Sequence, residues 1–476
     1  MIFHSLDFLA FFVIVVGLYW RLPHRGQNLF LLAASYVFYG WVHAWFLILI
    51  LASTVIDYGV ARGIEAWPAR RRALLGLSLV TNLGLLASFK YFGFFVDNVW
   101  AVLDAAGLAP PKPVLHVVLP VGISFYTFQT LSYTIDVYRG QLHARKSFLD
   151  VALFVAFFPQ LVAGPIERAA RLLPQVERSR TFSWPVARGA LVLILWGFFK
   201  KLVIADNVGV IADKVFSVQD PAFEVLWAGV FAFGVQIYAD FSAYTDIARG
   251  TARWLGFEIV RNFDHPYLAT GPADFWHRWH ITLSTWFRDY VYIPLGGSRG
   301  SGAATVRNVL ITFLLSGFWH GASWNFVIWG AYHGVLLVAS RLVRGVQIVR
   351  GAWARALWPV RVAGTFVLVH VGWLMFRETD GAMLWRDLTL GPGGSTDLDR
   401  RMGLYLFLLA AFYAVPLWLH ALWDTVGHRV IDRAPWLAAP PRWAWVSIQA
   451  VTCGLLFAVL LVLRSRTSLD FIYFQF

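Results

Sequence analysis

Apolar stretches of about 18 to 25 residues recur from one end of the chain to the other, the length a helix needs to cross a bilayer. The pattern predicts a first span around Phe8 to Trp20 and helices near 29–41 and 43–61 that meet at Trp41, Val42 and His43. A long run near 73–103, interrupted by Lys90, Asp97 and Asn98, ends at the turn Pro110-Pro111-Lys112-Pro113. Further spans are expected near 189–211, 223–248, 304–320, 323–340, 362–376, 403–423 and 443–463, the second of these carrying Asp240, Ser242, Thr245 and Asp246 near its end. Ten-residue segments of strict alternation, the mark of a membrane barrel, are not present. The expected fold is therefore an all-α polytopic membrane protein of roughly eleven to thirteen transmembrane, re-entrant and interfacial helices, forming one integral-membrane domain over 1–476.

Three segments depart from this rhythm. Leu119-Pro120-Val121-Gly122-Ile123-Ser124-Phe125-Tyr126-Thr127-Phe128-Gln129 and Phe157-Phe158-Pro159-Gln160-Leu161-Val162-Ala163-Gly164-Pro165-Ile166-Glu167 are apolar yet broken by proline, glycine and hydroxyl residues. Both predict irregular or kinked backbone at membrane depth, which survives only where protein shields it or a wet cavity adjoins it. Residues 261–300 are too polar for a span and too aromatic for a solvated loop. There Asp274 is placed to cap a helix starting at Phe275, with Trp276, Trp279, His280, Leu283, Trp286, Phe287 and Tyr290 on one face. Such a helix lies along the membrane surface or dips into it.

Composition sharpens the class. Of 476 residues 58% are hydrophobic and 14% charged, with 24 Trp and 40 Phe, a balance no water-soluble domain of this size carries. The net charge of +13 does not point to nucleic acid, because the arginines and lysines sit in short loops between apolar runs, where they set orientation. The basic loops Arg21 to Gln27 and Arg62 to Arg72, the connector Arg168 to Arg188, and the loop with Arg341, Arg344, Arg350, Arg355 and Arg361 are placed on the cytoplasmic side. The mixed-charge loop 377–402, with Gly391-Pro392-Gly393-Gly394, is placed outside. The segment Phe8 to Trp20 lacks a basic leader and a cleavage site and reads as a retained span. Cys453 alone forms neither a disulfide nor a thiolate metal cluster, and no metal site is expected.

The candidate chemistry sits in Ser316-Gly317-Phe318-Trp319-His320-Gly321-Ala322-Ser323-Trp324-Asn325, a histidine inside a run apolar enough for the bilayer. Gly317 and Gly321, one turn apart, allow close approach of a backbone or a thin substrate, and Trp319 and Trp324 offer apolar walls. A buried histidine that only hydrogen-bonds a neighbouring helix is the competing reading.

Phe275-Trp276-His277-Arg278-Trp279-His280, followed downstream by Ser316-Gly317-Phe318-Trp319-His320-Gly321, resembles the membrane-bound O-acyltransferase superfamily. Asn262-Phe263-Asp264-His265-Pro266-Tyr267, Tyr292-Ile293-Pro294-Leu295-Gly296-Gly297, Phe158 to Ile166 and Phe471-Ile472-Tyr473-Phe474-Gln475-Phe476 are similar to its bacterial branch containing alginate O-acetylase membrane subunits. The resemblance implies a helical bundle around a central channel, in the bacterial inner membrane. A cytoplasmic acyl thioester, acetyl-coenzyme A first among them, would serve as co-substrate, with no bound cofactor. The acetyl group would pass to an exported polysaccharide with the help of a periplasmic or periplasm-facing acetyltransferase. Alginate is the expected acceptor; peptidoglycan, cellulose and teichoic acid relatives share the motifs.

Acetyl transfer from a thioester to a hydroxyl needs a base and a stabilised oxyanion, and a positioned base contributes about 10²- to 10⁴-fold. His320 is assigned as that base and His280 as orienting the acceptor or supporting the oxyanion, with Trp319, Asn325, Trp279 and Trp324 as weaker channel residues. Asn325 serves equally as an interhelical hydrogen bonder, the preferred reading. Arg278, Arg288 and the arginines of 341–361 suit coenzyme A phosphates, yet positive-inside orientation explains them without a ligand. A transporter relaying protons through His320 would carry polar residues along several spans and paired broken helices in two halves, and neither pattern is present. A scaffold for polymer export is the remaining alternative.

Overall fold

The computed structural model describes residues 1–108, 111–112, 119–345, 356–433, 442–465, 467 and 469–472, so the turn at Pro110 and Pro113, the arginines Arg350 and Arg355, and Tyr473 to Phe476 lie outside the described residues. Among the described residues all regular structure is helical. Seven helical stretches are long and apolar enough to cross a membrane by length and composition: Phe46–Ala66, Pro68–Ala105, Phe223–Trp254, Gly302–His320, Trp358–Arg377, Asp397–Gly427 and Val446–Leu463. The chain divides into two compact units, Met1–Ala187 with Ala248–Val260, and Arg188–Ile247 with Arg261–Phe476.

In the first unit α1 (Leu6–Tyr19), α2 (His24–Gly40) and α3 (Phe46–Ala66) are followed by α4 (Arg71–Leu86) and α5 (Phe92–Ala105), joined by a π turn at Ala87–Tyr91 that carries Lys90. Polar side chains knit α3 to α4: Ser78 Oγ donates to Asp57 Oδ1 at 2.5 Å and Asn82 Nδ2 donates to Asp57 Oδ2 at 2.9 Å. Between apolar helices without a water-driven hydrophobic force, such bonds and close packing hold the pair.

The two broken segments of the sequence differ in outcome. Leu119 to Gln129 is not irregular throughout: Gly122, at φ +81°, caps α6 (Ile123–Tyr138), a continuous buried helix. A Cβ on Gly122 would lie 2.8 Å from the Leu161 carbonyl oxygen, so glycine is needed there for space as well as for φ. Phe157 to Glu167 is irregular as expected. The helix α7 (Phe148–Ala156) stops at Phe157, one turn of α8 (Phe158–Leu161) follows, and extended chain leads to α9 (Ala169–Glu177). The whole stretch is buried, which is how its broken backbone is tolerated.

The second unit contains most of α10 (Trp184–Phe199), a π segment at Lys200–Ala205, α11 (Asp206–Phe216) and most of α12 (Phe223–Trp254). It continues with α13 (Pro272–Arg278), α14 (Ile281–Phe287), α15 (Gly302–His320), α16 (Trp324–Gly345) and α17 (Trp358–Arg377). The helices α18 (Gly381–Thr389), α19 (Asp397–Arg433) and α20 (Arg442–Leu463) complete it. The expected loop 377–402 holds α18, whose first turn is capped by Asp380, and Arg377 and Arg386 pair with Asp213 and Asp220 at 2.8 and 2.9 Å.

The helices α15 and α16 pack as an antiparallel hairpin around glycine. A Cβ on Gly317 would sit 2.2 Å from the Phe326 carbonyl oxygen, and one on Gly330 would sit 2.4 Å from that of Phe313. Gly321 faces the Phe326 ring, 2.1 Å from where its Cβ would be. The close approach anticipated at Gly317 and Gly321 is thus taken by the chain's own backbone and an aromatic ring rather than left as a slot for a thin substrate.

Candidate active site

The single amphipathic helix expected from Phe275 to Tyr290 is broken at its middle. The helix α13 starts at Pro272, and Asp274, inside its first turn, accepts from Thr270 N–H at 2.9 Å while pairing with Arg278 at 2.8 Å. The chain then turns at His280, which has φ +42° and ψ 54°, and α14 begins at Ile281. A left-handed conformation in a residue with a side chain costs roughly 1–2 kcal/mol and persists where surroundings over-determine it.

Those surroundings are the extended segment at Asn262. Asp264 N–H donates to the Arg278 carbonyl and Ile281 N–H to the Asn262 carbonyl, both at 2.9 Å, clamping the break from either side. The Asn262 side chain then caps α14: its Oδ1 accepts from Thr282 N–H at 3.1 Å and Thr282 Oγ1 at 2.9 Å. The same oxygen lies 3.2 Å from His280 Nδ1. Because the Thr282 N–H is an unambiguous donor, that Asn262 atom is the oxygen, and His280 Nδ1 must carry the hydrogen. The neutral ring then keeps a lone pair on Nε2. Burial pushes the His280 pKa down to about 3, so the imidazole is neutral throughout the physiological range.

His280 is completely buried, with the Phe241 ring edge-on at 4.7 Å and the Trp319 ring at 6.3 Å. Trp319 is also 5.0 Å from His320, the last residue of α15. The structure thus brings His280 and His320 to one tryptophan from elements forty residues apart. Three rings stand nearly perpendicular to His320: Trp319, Trp329 at 5.1 Å and Phe376 at 5.3 Å. Asn325 donates through Nδ2 to the Met375 and Phe376 carbonyls at 3.2 and 3.4 Å, tying the start of α16 to the end of α17 and holding the Phe376 wall.

The other residues singled out in the sequence take different places. Trp279 belongs to a packed aromatic cluster, 4.8 Å from Trp373, 5.0 Å from Phe263 and stacked on Phe275 at 5.7 Å. Trp324 is 59% exposed at the first position of α16. Arg278 is engaged by Asp274 and the Asp264 carbonyl, and exposed Arg288 pairs with its neighbour Asp289.

Sequence reasoning passed over His333, which is buried against Trp329 at 4.8 Å and Trp276 at 5.2 Å. Its Nε2 would lie 2.6 Å from a Cβ on Gly372, so the glycine makes room for the ring. Trp329 consequently meets two histidine rings, at 5.1 and 4.8 Å. The only trace of this in the sequence is the spacing of His333 four residues after Trp329 on one helix face. His265, His420 and Asp424 bring three ligand-type atoms within 4.8 Å of one another. The Arg261 guanidinium already stands 3.5 Å from His265 Nε2, and Asp424 lies 2.8 Å from the same nitrogen, so the cluster carries its own cation.

Residues 141–379 match the model of the membrane-bound O-acyltransferase family. A probable alginate O-acetylase AlgI of Azotobacter vinelandii is 43% identical over 392 residues, 81% of this chain and 77% of that one. A probable alginate O-acetylase AlgI of Pseudomonas syringae pv. tomato is 37% identical across the full length of both chains. A peptidoglycan O-acetyltransferase of Helicobacter pylori is 36% identical over 74% of this chain and 71% of its own.

Proposed function

The chain belongs to the membrane-bound O-acyltransferase family, and on that premise we propose that this multi-pass acyltransferase carries acetyl across the bacterial inner membrane to O-acetylate alginate. The donor in this reading is a cytoplasmic thioester, acetyl-coenzyme A, and the arginine-rich loops face the cytoplasm. The alginate assignment rests on relatives named for that polymer at 37 to 43% identity. A peptidoglycan acceptor is the second reading, favoured by the Helicobacter relative.

The observation that carries the mechanism is the pair of buried imidazoles flanking Trp319. In the transfer, a hydroxyl oxygen attacks the thioester carbonyl carbon as its proton passes to an imidazole; the tetrahedral intermediate collapses, the C–S bond breaks, and the thiolate leaves and is reprotonated. His320, at the end of α15 in its ring-lined recess, is assigned the base. His280 is assigned to orient the acceptor hydroxyl through its Nε2 lone pair. An oxyanion-donating role fits it less well, since its one hydrogen is directed at Asn262.

The test is His320→Ala in an alginate-producing host that lacks its own membrane O-acetylase. Loss of a base removes about 3–5 kcal/mol of transition-state stabilisation, so polymer ester measured by NMR should fall below detection while membrane protein level is unchanged. Normal ester content with normal expression would replace the acyltransferase mechanism by a scaffold role. Ester on isolated peptidoglycan instead of alginate would favour the second acceptor.

A further inference from the structure

After α20 the chain folds back along the second unit. Ser465 N–H donates to the Leu202 carbonyl at 2.9 Å, and Asn207 Nδ2 donates to the Leu463 carbonyl at 3.3 Å. The Leu469 side chain fills the space beside Gly209, where a Cβ would come within 2.5 Å of Leu469 Cδ1. Two charged side chains then hold the backbone of one short stretch. Lys201 Nζ donates to the Leu469 carbonyl at 2.9 Å, and Asp240 Oδ2 accepts from Ile472 N–H at 2.7 Å.

Lys201 also lies 2.9 Å from Asp206 Oδ1 and 3.1 Å from Asp240 Oδ1, and all three charged side chains are 5% exposed or less. Burying one cation with two carboxylates is expensive, and replacing such a set by apolar residues is often neutral or stabilising. Stability alone therefore does not account for it. What the set does hold is Leu469–Ile472, by a donor at one end and an acceptor at the other.

The held segment reaches the histidine site. The Phe471 ring, 1% exposed, is 4.7 Å from Tyr244 and 5.8 Å from Phe241. Phe241 in turn stands edge-on to His280 at 4.7 Å. We propose that Lys201, Asp206 and Asp240 form a latch for the C-terminal segment, and that the latched segment positions His280 through Phe471 and Phe241. These are positioning residues for the transfer, and the inference rests on the acyltransferase reading.

The experiment separates latching from catalysis. In a Cys453→Ala background, Ile472→Cys reports burial of the segment by the rate at which the introduced thiol reacts with a maleimide in purified, monodisperse protein. Ester formation is followed in the alginate-producing host. The charge-free variant Lys201→Met/Asp206→Asn/Asp240→Leu leaves no buried ion unpaired; it should fold, label at the introduced thiol about tenfold faster, and lower the ester rate about tenfold. Phe471→Ala leaves the ions in place; it should keep that thiol shielded yet lower the ester rate comparably, with Phe471→Leu recovering most of it. A charge-free variant with the thiol still shielded, or with the thiol freed at the parent ester rate, overturns the latch. So does Phe471→Ala at the parent rate, an arm that stands even if the charge-free variant does not fold. Absence of ester in the parent itself counts against the acyltransferase reading and not the latch, which the maleimide arm tests without activity.

Discussion

At the scale of single residues, Asn262 is as consequential as the histidine it serves. One side-chain oxygen fixes the His280 tautomer and caps α14 through Thr282. Asn262→Ala leaves buried donors without a partner, at about 1–3 kcal/mol each, and frees the His280 ring to turn. The expected outcome is a lower melting temperature in detergent together with a tenfold to hundredfold loss of ester formation, about the range seen when an orienting partner of a histidine is removed. His280→Ala should reduce the rate less than His320→Ala, and the double variant should be little worse than His320→Ala alone, because the two rings act as a unit. Additive losses in the double variant would mean two independent roles.

At the scale of elements, the α15–α16 hairpin decides where His320 sits. Gly317 and Gly330 let the backbones touch, so Gly330→Ala must push a Cβ into the Phe313 carbonyl, 2.4 Å away. Overpacking of this sort costs typically about 1–3 kcal/mol. The hairpin should spread and move His320 relative to Trp329 and Phe376. Thermal unfolding of purified Gly330→Ala should occur several degrees lower, with reduced ester formation; an unchanged melting curve would show that the hairpin gives way without cost. The neighbouring Gly302 has no atom within 4 Å of its would-be Cβ, and Gly302→Ala is the control expected to leave both measurements alone.

At the scale of the whole molecule, the described residues are almost entirely helical, and the longest stretch between candidate spans, 106–222, has its described residues in the helices α6 to α11 and their connections. On the acyltransferase reading proposed above, acetylation of polymer is expected to require a separate periplasmic or periplasm-facing acetyltransferase. Purified protein in liposomes, given acetyl-coenzyme A and alginate, should form little ester until such a partner is added; full activity without a partner would remove the requirement.

Much of this was decided by sequence alone. The recurrence of apolar runs imposes helices, because a backbone in lipid must satisfy its own hydrogen bonds. The motifs around His280 and His320 mark the family, and the apolar run before His320 places that residue at the end of a helix apolar enough to cross a membrane. Asn325 as an interhelical hydrogen bonder was legible too, a polar side chain beside an apolar run having few partners but a neighbouring helix. Tertiary contacts decided the rest. Helical periodicity over Phe275 to Tyr290 carries no sign of the break at His280, since the bonds that force it come from Asn262 and neighbouring backbone. Nor does local sequence assign the walls: Trp324 and Trp329 look equivalent along the chain, yet one is exposed and the other is buried against two histidines. The partners of Lys201 lie thirty-nine and 268 residues away at Asp240 and Leu469. Periodicity reports only which face of a helix is apolar; which groups meet across that face is set by how the helices pack, and that depends on the whole chain at once.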